Sequence, residues 1–561
     1  MLACAFDKPF SRLEAIFNRE YFIMRLPWCC QLLPETFGGS NMALKSIKEV
    51  MKTVSRPEKV LQFGEGGFLR AFVDWQIDIA NEKAGFNGNI VIVQPLEKGM
   101  IDAMNAQDNL YTTVLRGMKD GKPTVETRCI NSVSRSINPY TNFDEYIALA
   151  SSPDLRFIVS NTTEAGIRFD SEIDGVPVTL DQKPQKNFPA KVTAFLYKRF
   201  QAFNGDKSKG MILIPCELSD QAGLNLRINI LRYAEMWQLG PDFINWFDEA
   251  CDVCSCLVDR IVPGYFPLLS KEENGKTQAE NLCEKLGYED KLLDSAELFH
   301  FWVIESKKSH EDELPLVKAG LSVKWVQNMD YYHTRKVRIL NGAHTSSVLA
   351  AFLAGSNYVQ DIVCSEKVGS GFNTPNADAQ KFMHDIIFNE IVPSIDGDQE
   401  DLKNYANDVW TRFQNPFNPH RLIEISLNSV AKYWTRCLPS VTQSIKKNGS
   451  VPKLLGFSIA ALISFYNGTE IKENAKGQKC LVSKRDDGEY ENLDTLPVLE
   501  FFAALNKETN DAKVKANKVL SNVEFWKEDL TKYAGLEAAV AGHLEAIQKD
   551  GMKVALANIV K

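Results

Sequence analysis

The chain has 561 residues, 44% of them apolar, and a formal net charge of -8 at pH 7, with a sequence pI near 5.6. That length exceeds one ordinary core, so two or three domains are expected. The mild acidity excludes the broad basic footprint of a nucleic-acid binder, and no apolar run long enough for a spanning helix occurs.

Residues 1–50 read as an N-terminal extension. Charges interrupt their apolar stretches, which a signal peptide does not allow. The expectation is a dispensable segment whose removal to residue 41 leaves melting temperature and turnover nearly unchanged. Residues 60–63 then read as a short buried strand running into Gly64-Glu65-Gly66-Gly67. Helical spacing follows from Phe68 to about Asn81, and residues 90–93 form an uncharged β-branched run. Strand, glycine turn, helix and strand make the βαβ unit of a parallel sheet. Residues 155–159 and 211–214 look like later strands of that sheet, with 191–203 and 223–239 as covering helices. Beyond about residue 320 the texture turns helical, at 341–353, 381–390, 422–433, 454–466 and 495–507, and 470–492 read as a solvated loop.

Twelve cysteines in so long a chain make no disulfide framework. Cys251, Cys254 and Cys256 lack the second spaced pair of a structural zinc site, so reduced thiols in a cytoplasmic protein are expected.

Gly64, Gly66 and Gly67 stand directly after a strand and before a helix. Glycine there lets the backbone approach a pyrophosphate while the helix directs unpaired N–H groups at the anion. Leu69 occupies the place of the usual third glycine. Gln94 ends the second strand where an acid normally binds a ribose hydroxyl, and no basic residue adjoins it to attract a 2′-phosphate. NAD is therefore favoured over NADP.

The densest chemical segment is Arg335-Lys336-Val337-Arg338-Ile339-Leu340-Asn341-Gly342-Ala343-His344. On one regular helix Asn341 and His344 lie about 140° and about 80° around the axis from Lys336. Gly342 suggests instead a helix that begins near Asn341, with Lys336 approaching from the preceding segment. A lysine can serve as acid/base if burial or cations such as Arg335 and Arg338 lower its pKa. Asn341 and His344 can then donate to or orient a reacting oxygen. The alternative is a helix cap flanked by solvated basic residues, and the segment alone names no reaction.

Gly64-Glu65-Gly66-Gly67-Phe68-Leu69-Arg70-Ala71 resembles the glycine turn of the long-chain mannitol dehydrogenase family of polyol and sugar-acid dehydrogenases. Thr163-Glu164-Ala165-Gly166, Val258-Asp259-Arg260-Ile261, the Lys336 to His344 segment and Arg412-Phe413-Gln414-Asn415-Pro416 continue the likeness in family order. The resemblance implies an α/β fold, with a Rossmann-type NAD-binding domain over 51–320 and a mostly α-helical catalytic and substrate domain over 321–561. It implies a soluble NAD enzyme without metal, in which Lys336 is the general acid/base assisted by Asn341 and His344. The cofactor residues it implies are Phe63, Gly64, Gly66, Gly67, Phe68, Arg70, Gln94, Thr163 and Glu164.

Polyol-oxidising members carry Asp-Asn after a strand-ending cysteine, whereas this chain has Cys216-Glu217-Leu218. That departure is similar to a branch that reduces a hexuronate keto acid, and it places Glu217 at the substrate. Arg412, whose planar fork suits a carboxylate, and His420 complete the substrate set. Pairing of Arg412 with Asp408 is the competing structural role. Two other readings remain open: another hexuronate or polyol as substrate, and a non-catalytic nucleotide-binding regulator.

Overall fold

Short runs of Val, Ile and Leu pair in parallel to make a six-stranded sheet: β1 Glu58–Phe63, β2 Asn89–Val93, β3 Val133–Ile137, β4 Phe157–Ser160, β5 Ile212–Pro215 and β6 Asp252–Val253. Across the sheet their order is β6-β5-β4-β1-β2-β3. The order reverses between β1 and β4, which opens a crevice at their carboxyl ends, where such sheets bind nucleotides. The structure is a computed structural model and describes residues 43–162, 166–219, 221–272, 274–369 and 371–561.

Both faces of this sheet are covered, which is why its strands carry apolar residues without a polar alternation. Val60, Ile90, Ile92, Val159 and Ile214 point into one core beside Phe72 and Trp302. Their neighbours Leu61, Phe63, Val91, Ile158 and Leu213 point into the other, beside Phe195 and Ile230. This is the two-residue period of a strand read out as two cores. Helix α1 spans 67–83 and contains a π turn at Arg70–Asp74. Helices α2 Phe188–Ala202 and α3 Ala222–Met236 follow β4 and β5.

The chain divides into two compact units, one holding residues up to 116 with 124–329 and the other 117–123 with 330–561. Strand Val323–Val326 pairs with Phe301–Glu305 and stays with the first unit.

The second unit is largely helical. Helix α4 runs unbroken from 330 to 353, followed by α5 Gln399–Phe413, α6 Ser429–Arg436 and α7 Lys453–Phe465. The single helix expected over 422–433 is two helices, because Asn428 takes a left-handed φ of 54° between Leu422–Ile425 and α6. The loop expected over 470–492 is a three-stranded antiparallel sheet, Glu470–Glu473, Lys479–Arg485 and Gly488–Asn492. Its charges sit on the solvent side, while Cys480, Leu481, Ser483 and Asn492 are buried. Tyr490 donates to the carbonyl of Phe465, fastening the sheet to α7.

The expected extension lies outside the described residues except for 43–50. Cys251 closes helix Pro241–Ala250, Cys254 lies between two strands and Cys256 within strand Ser255–Asp259, all three buried. Among the described residues no helix is long and apolar enough to cross a membrane. No group of three or more His, Cys, Asp or Glu among them could hold a metal ion.

Candidate active site

The glycine turn stands at the carboxyl end of β1, beside the strand-order reversal. The three glycines differ in what surrounds them. Gly64 has a φ of +127°, a conformation costly for any side chain. Gly67 lies against the Asp294 carboxylate, which a Cβ would meet at 2.9 Å. Gly66 faces open space, with nothing within 4 Å of a Cβ built on it, and it begins α1 without a side-chain cap. An uncapped helix start facing open space at this edge suits a pyrophosphate. Leu69 replaces the third glycine and packs under Gly64. Phe68 is half-buried and stacks on Phe72 with centroids 5.1 Å apart.

Several residues read from the sequence as cofactor contacts act beneath the surface instead. The Phe63 side chain is core, packed edge-on against Phe188 and Tyr146. Arg70 is buried, and its guanidinium donates to the carbonyls of Glu65 (3.1 Å) and Leu292 (2.7 Å). It therefore braces the turn from below, with the buried Asp294 carboxylate 3.8 Å from its guanidinium. Around it lie Asp74, which accepts from the Tyr111 hydroxyl at 2.6 Å, and Asp294. Burial lifts Asp74 to about 7 and Asp294 to about 6. Gln94 is likewise turned inward. Its amide donates to the carbonyls of Leu96 and Glu97 and accepts from the Ile101 N–H, so it shapes the loop after β2. Gly99 allows this, since a Cβ there would stand 2.1 Å from Glu65 Oε1 and 2.5 Å from Gln94 Cδ. Glu65 closes the same loop by accepting from Met100 N–H, and burial raises its carboxyl pKa.

Glu217 is also placed differently from its expected contact with substrate. It is 1% exposed and ties the ends of β4 and β5 together. Ser160 donates to Oε2 at 3.2 Å, and the Thr162 N–H and hydroxyl donate to Oε1 at 2.9 and 3.1 Å. Burial raises its pKa above the usual carboxylate range. Leu218, at the position next to it, is 71% exposed. Thr163 and Glu164 lie outside the described residues.

In the second unit, Lys336–Asn341 is a π turn inserted between Asp330–Arg335 and Gly342–Leu353 of α4. The helix does not begin at Asn341, as Gly342 had suggested. Gly342 serves close packing instead, since a Cβ there would meet the Arg436 carbonyl at 3.0 Å. In a π turn the backbone pairs residues five apart, so Lys336 and Asn341 stand one above the other. His344 follows three residues later on the same side. The two neighbouring arginines are committed elsewhere. Arg335 pairs with Asp401 at 2.7 Å, and Arg338 donates to Ser440, Gln443 and Ser394.

His344 stacks on Phe413 with ring centroids 4.0 Å apart and meets His420 edge-on at 5.9 Å. Its Nε2 is buried without a hydrogen-bond partner. Burial, then the charges of His420, Arg436, Arg412 and Lys432, hold its pKa well below the ordinary value, so the ring is neutral. Burial likewise lowers His420, partly offset by Glu424. The buried Gln360 amide positions this wall by donating to the carbonyls of Phe413, Asn415 and Asn418. Asp408, one turn before Arg412 on α5, is raised by burial and feels the Arg412 charge in the opposite sense.

Family models for the mannitol dehydrogenase Rossmann domain and C-terminal domain match residues 58–318 and 328–548. The chain belongs to the mannitol dehydrogenase family. Altronate oxidoreductase of Bacteroides thetaiotaomicron is 42% identical over 505 residues, covering 90% of this chain and 97% of its own. The Bacillus subtilis protein of the same name is 42% identical over 501 residues, covering 89% and 95%. Among solved structures, a substrate-free D-sorbitol dehydrogenase superposes with a TM-score of 0.68 at 21% identity, covering 89% of this chain and 95% of its own. Pseudomonas fluorescens mannitol 2-dehydrogenase, in a ternary complex with NAD and D-mannitol, gives 0.58 at 19% identity, covering 90% and 94%. These two likenesses establish the mannitol dehydrogenase fold.

Within this mannitol dehydrogenase framework, sequence reasoning missed Lys432 and Arg436, the cations of α6 that act on His344. Their spacing of four residues on one helix face was the available signal.

Proposed function

We propose that this chain is an NAD-dependent tagaturonate reductase, interconverting D-tagaturonate and D-altronate in hexuronate breakdown. The observation that carries the reading is the π turn that aligns Lys336, Asn341 and His344 beside a group of cations. Relatives named altronate oxidoreductase, matched over nearly their whole length, support the same activity.

The glycine turn fits a dinucleotide, because Gly66 leaves space at an uncapped helix start and the loop after β2 is held ready by Glu65 and Gln94. Bound NADH supplies the hydride that turns the keto carbon into a secondary alcohol carbon. Lys336 gives its ammonium proton to the carbonyl oxygen as that oxygen gains charge. The Asn341 amide donates a hydrogen bond to the same oxygen. His344, kept neutral by burial and by the surrounding cations, offers its unpartnered Nε2 to a neighbouring hydroxyl. Arg412 and His420 border the same wall beside His344. In the reverse direction Lys336 takes the hydroxyl proton as the hydride leaves.

A kinetic panel of tagaturonate, fructuronate and fructose with NADH and NADPH tests the reading. Tagaturonate with NADH is expected to give the highest kcat/KM. A higher value for fructuronate or fructose assigns a different substrate, and tight NADH binding without turnover on any of them points to a regulator. NADH is expected to be preferred, since Glu97 is exposed on the loop after β2 and Gln94 is turned inward. A tenfold preference for NADPH would sink the cofactor assignment.

A further inference from the structure

Two other arginines of the second unit are committed to protein groups. Arg338 uses Nε, Nη1 and Nη2 on three side chains, and Arg485 pairs with Asp487 while donating to the carbonyls of Phe352 and Ser356. Arg436 differs. It is half-buried at the end of α6, and its one hydrogen bond among the described residues is a long one, Nη1 to Thr345 Oγ1 at 3.4 Å. No carboxylate among the described residues pairs with it. Burial lowers its pKa, offset only by the neighbouring Cys437 thiol and by no carboxylate.

It lies against α4, the helix that carries the catalytic groups. Thr345 follows His344 directly, and Thr345 Oγ1 donates to the Asn341 carbonyl. Cys437 Sγ donates to the Gly342 carbonyl, which fixes the end of α6 against the first turn after Asn341. Lys432 stands one turn earlier on the same face of α6, its ammonium donating to the Ile425 carbonyl. Asp494 acts on Lys432 but not on Arg436, so the guanidinium drawn out of water is the cation that an incoming anion would complete. Arg412 suits that anion less well, because Asp408 already shares its surroundings.

We propose that Arg436 determines specificity for sugar acids: its guanidinium receives the substrate carboxylate, with Lys432 as the flanking cation. The assignment rests on the reduction of a hexuronate keto acid proposed above. A planar fork with uncommitted N–H donors can meet both carboxylate oxygens at once. An uncharged ketohexose gains nothing from it, so Arg436 separates sugar acids from sugars.

The test compares wild type with Arg436→Met, Arg436→Gln and Arg436→Lys in the full-length enzyme. The readout is the ratio of kcat/KM for tagaturonate to kcat/KM for D-tagatose, its uncharged counterpart. Methionine and glutamine are expected to lower that ratio about a hundredfold, mainly through the KM for tagaturonate, and lysine less. NADH affinity should remain close to wild type, and the thermal midpoint should not fall. Glutamine keeps a polar side chain of comparable reach, so it carries the test if the methionine variant does not fold. A ratio unchanged from wild type, with both substrates losing equally, overturns the assignment and makes Arg436 a support for Thr345. A wild-type enzyme with no preference for tagaturonate over D-tagatose overturns the functional reading itself, an outcome distinct from failure of Arg436.

Discussion

Replacing Lys336 by alanine is expected to lower kcat by roughly 10²–10⁴-fold, the usual span for a positioned acid/base. The dissociation constant for NADH should change little, because the glycine turn and the loop after β2 contain no part of α4. The residue stands on a π turn, a feature that occurs most often where function needs it. Only that turn places it above Asn341 on the side that His344 shares. Steady-state kinetics with a fluorescence titration of NADH separates the two effects. Turnover near the wild-type rate at neutral pH would remove Lys336 from proton transfer. A parallel loss of NADH affinity and thermal midpoint would mean that the substitution had disturbed the helix.

Gly223→Ala should cost the most stability among conservative changes near the cofactor edge. Gly223 lies in the first turn of α3, where a Cβ would stand 1.9 Å from the Cys254 carbonyl oxygen and 2.5 Å from its carbon. Neither atom can yield cheaply, since Cys254 N–H donates to the Leu213 carbonyl and is thereby tied to β5. Overpacking against fixed backbone costs about 3 kcal/mol. In a unit of this size that is a fall of about 6–12 °C in thermal midpoint. Because α3 follows the strand end that Glu217 secures, a rise in KM for NADH should accompany the fall. Thermal denaturation of G223A and wild type, followed by circular dichroism, checks it. A midpoint within a degree of wild type would show that α3 shifts without penalty.

The sheet was legible because parallel strands buried on both faces leave continuous apolar runs, and the runs at 60–63, 90–93, 155–159 and 211–214 all became strands. The small sheet over 470–492 was not, because its strands alternate charge with sparse apolar residues and mimic a solvated loop. Gly64, Gly66 and Gly67 could be read from backbone needs alone. Arg70, Gln94 and Glu217 could not. Each is polar and adjoins a cofactor-like motif, yet its partners are carbonyls or N–H groups that only the folded chain brings near. Lys432 and Arg436 were hidden for the opposite reason, since the helix they occupy looked like one continuous element from 422 to 433. The break at Asn428 that aims them is a single left-handed residue.

The π turn at Lys336–Asn341 also constrains how this helix can vary in length. A π turn holds one residue more than an α-helix spanning the same height, so it is an insertion absorbed without a break in the rod. Deleting any one residue from 337 to 340 would restore ordinary i→i+4 pairing at little backbone cost. Because the turn already absorbs the extra residue, everything after the deletion would keep nearly its present direction relative to Lys336. His344 and the buried stripe of 345–353 would hold their facing partners. Losing one codon within 337–340 therefore spares the packing behind the site and removes only the bulge in the helix beside Lys336.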